Sequence, residues 1–371
     1  MRTPGLDDLR RHALARSLFK PTTLPQAVKR LGFVQADPIR APARAQDLTL
    51  RHRVHGYRAG DLERRYARLG LEEDFFVNYG FMPAEAHALM HPRQPRTAGT
   101  PWTAARWAQA EAVLAFVRER GAVHPREVDL HFQHGKSKNW FGGNSNASTQ
   151  LLDGLHYRGL LRVAGRDSGV RTYALRAQPE APADAAAALD ALADLVIGVY
   201  APLPELSLNM VVSRLRYGAP QWASACRAAL LRAKARLPHA VIDGVRWYWP
   251  ESENPRSARH RIDEELRLLA PFDPVVWDRR RFEAFWGWAY RFEAYTPAPK
   301  RVRGYYALPL LWRGDVIGWA NAAVSDGRLQ VQTGFVAGHA PRDAAFRPAL
   351  AAESERLAAF LGITAGAAIV K

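Results

Sequence analysis

One short run among the 371 residues combines side chains that could break a bond: Gln35-Ala36-Asp37, followed at once by Pro38. In an extended segment residues i and i+2 share a side. A carboxamide and a carboxylate would then project together, with Ala36 turned into the core. Such a carboxylate can stabilise a sugar that turns cationic as its glycosidic bond breaks, or activate water, while the amide positions that water. The competing reading is a plain turn, because Asp before Pro is a common turn pair. The next eighteen residues hold Arg40, Arg44, Arg51, His52, Arg53 and His55. So many cations beside one carboxylate fit a groove lined for phosphate; a solvated helix face would have the same composition.

Other stretches invite chemistry less strongly. Lys136 and the polar, glycine-rich run from Ser137 to Ser145, which includes Lys138 and Asn139, precede a helix and could hold a phosphate on exposed N–H groups. No GxxxxGK[ST] pattern is present, so a nucleotide loop is not expected. Asp278-Arg279-Arg280-Arg281 could grip phosphates, with a solvated turn as the alternative, and Lys300 and Arg301 are further candidate phosphate contacts. Trp286, Trp288, Tyr290, Phe292 and Tyr295 could stack bases, although a β-core fits them better. His124, His131 and His134 lack both cysteine partners and HExxH spacing, so no metal and no cofactor is expected. Nor does G-x-S-x-G occur, and Cys226 sits in an Ala/Leu-rich helix as inert core.

The 52 Lys/Arg exceed the 36 Asp/Glu, a net charge of +16 that points first to a polyanionic partner such as nucleic acid. The surplus is uneven. Residues 1–70 carry fifteen basic and six acidic side chains, whereas residues 71–100 carry two and four. A general compositional bias toward arginine would spread more evenly. The single cysteine rules out an internal disulfide and suits a reducing cytoplasm. The opening stretch, with Asp7 and Asp8, does not read as a signal peptide, and no apolar run is long enough to span a membrane.

The elements that must position these residues follow one rhythm three times: helix, helix, then a short β segment. Leu24 to Leu31 predicts a helix stopped by Gly32, with a strand over Phe33–Pro38 and helices through Ala43–Val54 and Asp61–Leu69. After a linker rich in proline, Trp102–Gly121, Pro125–Phe132 and Ser148–Gly159 predict helices, and Leu160–Ala164 with Arg171–Leu175 a hairpin. That is the order of a winged helix. Helices over Asp190–Ala201, Pro204–Tyr217 and Gln221–Ala235 repeat the theme, closed by a hairpin at Asp243-Gly244. Beyond Pro250, Ala289–Tyr295, Gly304–Trp312, Val316–Val324 and Leu329–Thr333 suggest a small antiparallel sheet or barrel, and Asp343–Phe360 a final helix.

Taken together the sequence resembles the YcaQ/AlkZ family of winged-helix DNA glycosylases, which unhook interstrand crosslinks and remove alkylated purines. The resemblance covers nearly the whole chain. Its anchors are the segment Leu31 to Ile39, Trp140-Phe141-Gly142-Gly143 leading into Leu151-Leu152-Asp153-Gly154-Leu155, and Pro271-Phe272-Asp273-Pro274-Val275-Val276-Trp277-Asp278-Arg279. Pro297 to Arg301 and Gly304-Tyr305-Tyr306 follow downstream. The resemblance implies an α+β fold of three tandem winged-helix units (1–95, 100–178, 183–250), a small C-terminal antiparallel β-barrel (262–340) and a C-terminal helix (341–362). It also implies that Gln35-Ala36-Asp37 is the catalytic triplet in its Asp form. The expected partner is double-stranded DNA carrying alkylated or crosslinked purines, met by a cytoplasmic, nucleoid-associated monomer. Members often carry His-Glu-Ala before Phe-Met-Pro; this chain has Val77-Asn78-Tyr79-Gly80 before Phe81-Met82-Pro83, so no role for that His and Glu carries over. The alternative from another class is a winged-helix transcriptional regulator without catalysis, reading bases with a helix such as Ser148–Gly159.

Overall fold

A computed structural model describes residues 3–96, 100–138, 144–364, 366 and 368–370, the backbone alone for 137–138, 144–145 and 368–370. The chain forms two compact units that are not consecutive in sequence: residues 1–62, 196–210 and 234–371 make one, residues 63–195 and 211–233 the other.

In the first unit, helix Leu24–Leu31 buries Leu24, Ala27, Val28 and Leu31 on one face. It ends where Gly32 takes φ 76°, a left-handed conformation that glycine adopts at little cost. The strand that follows is only Val34–Gln35, shorter than the sequence predicts, because the chain turns at Asp37-Pro38. Ala36 is consequently half-buried and not the core residue that strict alternation requires. Helix Ala45–Leu50 comes next, buried along its whole length.

The C-terminal part of this unit is a five-stranded sheet. Arg267–Leu268, Leu308–Trp312, Asp315–Ser325 and Arg328–Phe335 run antiparallel in that order, and Ala368–Val370 joins the edge in parallel. The sheet is open, with Arg267–Leu268 and Ala368–Val370 as its edges, so the expected antiparallel barrel does not close among the described residues. The predicted strand over Ala289–Tyr295 is absent. Instead the chain there is irregular: Trp288 and Tyr290 are core, packed with Phe282, Leu269, Val276 and Val316, whereas Tyr295 is 74% exposed. Burying a tryptophan or tyrosine requires a partner for its polar end. Trp288 Nε1 donates to the Val316 carbonyl at 3.1 Å, and the Tyr290 hydroxyl to the Ala307 carbonyl at 2.6 Å. Leu203–Pro204, His239–Ile242 and Val245–Tyr248 form a smaller sheet. Its hairpin turns at Asp243 and Gly244 with φ of 49° and 76°, the pair of positive values a two-residue turn needs.

The second unit holds helices Ala104–Arg120, Pro125–Phe132 and Ala147–Tyr157, and an antiparallel sheet of Ala122–Val123, Val170–Leu175 and Leu161–Asp167. These are the elements expected between residues 100 and 178, within a few residues. A hairpin of Leu71–Phe75 and Tyr79–Pro83 has no counterpart in the sequence reading. It carries Glu73 and Asp74 into the interior.

Candidate active site and a second buried carboxylate

The Gln35/Asp37 segment is held by its own unit. The Asp37 backbone N–H donates to Oε1 of the buried Gln46 at 3.2 Å, which fixes the main chain. The Asp37 carboxylate accepts the Ile39 N–H at 2.9 Å across Pro38, an Asx turn. Thus the turn reading and the site reading describe the same atoms. Asp37 is 9% exposed and forms no ion pair among the described residues. Burial raises its pKa above the usual carboxylate value, and the Ile39 N–H only partly offsets this. Its negative charge reaches Tyr295 and Tyr306, where together with burial it raises both phenols.

Gln35 is oriented from a distant part of the chain. Trp277 Nε1 donates to Gln35 Oε1 at 2.7 Å. Trp277 is itself clamped, its ring stacked on Tyr200 at 4.4 Å. It closes the short helix Pro274–Trp277, whose N-cap is Asp273, with the Val275 N–H bound to Asp273 Oδ1 at 3.0 Å. The Asp273 carboxylate also receives both terminal nitrogens of Arg53, at 2.8 and 2.9 Å, in a fully buried pair.

That pair corrects an expectation about the cations. Arg53 spends its remaining donors on the Ser17 and Thr49 carbonyls, at 2.7 and 2.5 Å. Arg51 binds the buried Glu353 and, at 3.1 Å, the Leu268 carbonyl. His52 Nε2 reaches the same carbonyl at 3.0 Å, and burial with the neighbouring Arg51 holds its pKa well below the ordinary value. Arg279 donates to the Val276 and Pro271 carbonyls, at 2.6 and 2.9 Å, and lies 4.4 Å from the Tyr290 ring centre. All four side chains are thus engaged within the fold: Arg53 is fully buried, and Arg51, His52 and Arg279 are half-buried. Arg40, Arg280 and Lys300 are exposed in this unit, as is Lys136 in the other. Arg44 is half-buried just before helix Ala45–Leu50; Arg301 is half-buried too, bound to the Thr296 carbonyl at 2.8 Å. Only the backbone of Lys138 is described, paired to Asn144, and Asn139 and Trp140–Gly143 lie outside the described residues.

The second unit contains a buried cluster that sequence reasoning missed. Asp74 Oδ2 accepts from His87 Nε2 at 2.8 Å and from Arg176 at 3.4 Å, and Oδ1 accepts from Arg93 at 3.2 Å. His91 Nε2 lies 3.4 Å and His156 Nε2 3.5 Å from the same carboxylate. Burial alone would raise the Asp74 pKa, but Arg93, His156 and the imidazole hydrogen bonds hold it well below normal. Burial pushes His91 down to about 3. Asp74, His87 and His91 could geometrically surround a cation, their donor atoms lying within 4.8 Å of one another. Two guanidiniums already satisfy that carboxylate, so a divalent ion would meet like charge, and the donor set does not fit one. The visible sequence signal is the four-residue spacing of His87 and His91. By contrast His124 caps helix Pro125–Phe132, accepting the Arg126 N–H at 3.1 Å. His131 stacks on Phe116, and His134 meets the Ser148 hydroxyl at 3.2 Å.

Asp37 is thus a largely buried carboxylate with no ion pair among the described residues, two positions from a carboxamide that Trp277 orients. The solved structure of Streptomyces sahachiroi DNA glycosylase AlkZ has the same fold, with a TM-score of 0.61 and 15% identity over 100% of both chains. Residues 28–360 match the family described as DNA glycosylase AlkZ-like, and the chain belongs to that family. Membership carries a DNA glycosylase role in repair, with DNA as the substrate.

Proposed function

We propose that the protein is a monofunctional glycosylase that hydrolyses the N-glycosidic bond of N7-alkylated purines in double-stranded DNA, acting as a monomer at the nucleoid, and that its substrates extend to interstrand crosslinks. The observation that carries this reading is Asp37: a carboxylate 9% exposed, its pKa raised by burial, with no ion pair among the described residues. N7 alkylation leaves the purine positively charged, so it departs without a general acid. As the C1′–N9 bond breaks, its electron pair returns to the purine, and positive charge develops on the deoxyribose. An unpaired carboxylate at reduced dielectric stabilises that charge strongly. Water then adds to C1′ and loses a proton toward Asp37, whose raised pKa makes it the better acceptor. Gln35, its amide oxygen held by Trp277, orients the water.

No lysine lies in or beside the triplet, Lys29 being the nearest before it, so a Schiff base and strand cleavage are not part of the reaction. A crosslinked base cannot swing fully out of the duplex, because its partner strand follows. Arg40, Arg44, Arg280, Lys300 and Arg301 in the first unit, with Lys136, Lys138 and Asn139 in the second, are proposed phosphate contacts. The test is release of 7-methylguanine from alkylated duplex DNA and unhooking of a nitrogen-mustard crosslink. Asp37→Asn and Gln35→Ala should lose release while keeping DNA binding; unchanged release by both variants would overturn the assignment. A sequence-specific regulator would instead show a preferred DNA sequence and indifference to Asp37→Asn.

A further inference from the structure

We infer that an open depression of about 430 Å³ on the five-stranded sheet is a subsite for the purine base that leaves, an inference that rests on the glycosylase reading of Asp37. Its wall begins at Ala41, four residues beyond Asp37, and continues through Tyr305 and Tyr306 to the outward face of strands Asp315–Ser325 and Arg328–Phe335. In the antiparallel register Asn321 stands opposite Gln332, and Ala323 opposite Gln330. Side chains at alternate positions share a face, so three carboxamides gather on the lining. All nine lining residues are uncharged, on a chain whose net charge is +16.

That composition selects a ligand. A phosphate would be met by arginine or lysine, and none lines the depression. A purine has a π-face and an edge of mixed donors and acceptors. A carboxamide carries both donor and acceptor and can match such an edge; an exposed phenol ring can cover such a face. Tyr305 is 43% exposed and Tyr306 only 2%. The Tyr306 hydroxyl is nonetheless buried with no hydrogen-bond partner among the described residues. A buried hydroxyl left unmatched is costly unless something else supplies the bond. The negative field of Asp37, felt at Tyr306, favours a purine that arrives as a cation.

The two tyrosines are held in place. Glu293, buried, accepts the N–H groups of Val302, Arg303 and Gly304 at 3.0, 2.8 and 3.3 Å. Asn321 Nδ2 donates to the Arg303 carbonyl at 2.7 Å and presses its amide oxygen so close to Gly304 that a Cβ there would stand 2.3 Å from it. Gly304 also has φ +116°, so both space and backbone conformation require glycine. Asn321 therefore anchors the wall, which leaves Gln330, Gln332 and Tyr305 as the groups to test.

The probe is free 7-methylguanine, titrated into the full-length protein by calorimetry or ligand-observed NMR. Gln330 and Gln332 are exposed, so their replacement leaves the core intact. Gln330→Ala with Gln332→Ala, and separately Tyr305→Ala, should each weaken binding by about tenfold, the loss of one good polar contact or stacking face. Release of 7-methylguanine relative to 3-methyladenine from alkylated duplex DNA should shift in the same variants. No binding by the unaltered protein, or equal binding by the variants, overturns the subsite. If the unaltered protein binds the free base and the variants bind it less, but none is released from DNA, the glycosylase reading falls and the depression remains a purine site without a leaving base. If release proceeds while binding is the same in every variant, the glycosylase reading stands and the subsite falls.

Discussion

Asp37 accepts one backbone N–H and meets no cation among the described residues, whereas Asp74, wholly buried, is faced by Arg93, Arg176, His87, His91 and His156. Both are carboxylates withdrawn from water, and they respond in opposite senses: burial lifts the Asp37 pKa, while the cations and imidazoles around Asp74 drive its pKa well down. Removal from solvent therefore does not define a reactive acid. What matters is whether the charge has already been compensated. Asp74 is compensated by five side chains and has little attraction left for a substrate. Asp37 has no such compensation among the described residues.

The largest expected effect breaks the compensated side of this contrast. Asp74→Ala leaves two buried arginines without their carboxylate, and removing one partner of a buried ion pair costs about 3–5 kcal/mol. Urea or thermal unfolding should show a loss of that size. A variant that unfolds within about 1 kcal/mol of the original protein would mean that the cluster is not the structural knot described.

On the uncompensated side, Asp37→Asn should lower single-turnover base release by about a hundred- to a thousandfold, the range seen when one preorganised electrostatic group is lost. Stability should move the other way. A carboxyl whose folded-state pKa is raised disfavours folding while it is ionised, so the neutral amide should unfold at the same temperature or slightly higher. Loss of activity together with loss of stability would place Asp37 among the structural acids.

Acid separates the two sites again. Release should fall as pH drops through an Asp37 pKa above the ordinary 3.8, since protonation removes the stabilising charge. The Asp74 cluster should lose stability over another window. His91 and His156 are held neutral in the fold, with pKa values below their usual 6.5, so the unfolded chain binds more protons. Their stability is intact above about 6.5 and is progressively lost toward the His91 value of about 3. Asp74 adds a further loss only below its unfolded value of 3.8. A melting temperature flat from neutral pH to pH 4 would contradict this account of the imidazoles.

The same comparison explains what could be read from the sequence. The turn that holds Asp37 is legible because its signals are local: a proline directly after it and a glycine stop five residues earlier. Helix Leu24–Leu31 and the Asp243-Gly244 turn were legible for the same reason. Asp74 was not, because its partners come from residues 87, 91, 93, 156 and 176, and only folding brings them together. Arg53 misled in the converse way. Its local surroundings suggest a phosphate-binding run, but its partner Asp273 is 220 residues distant. The aromatic stripe from Trp286 to Tyr295 shows a third limit. Its alternating rhythm matches a strand, yet Trp288 and Tyr290 find carbonyl partners at Val316 and Ala307 and hold an irregular path.

The smallest expected effect tests how finely the uncompensated site is tuned. Trp277→Phe removes one hydrogen bond, the donation to Gln35 Oε1 at 2.7 Å, and keeps a ring to pack against Tyr200. Such a bond contributes about 0.5–1.5 kcal/mol, so the expected fall in the release rate is about two- to tenfold. Because Trp277 acts through Gln35 and not on the substrate, the loss should appear in kcat with KM unchanged. It should also nearly vanish in a Gln35→Ala background, where there is no amide left to orient. Additive losses in the double variant would mean that Trp277 supports the site by packing alone. In that case the orientation of Gln35 would have to come from elsewhere in the Pro274–Trp277 segment.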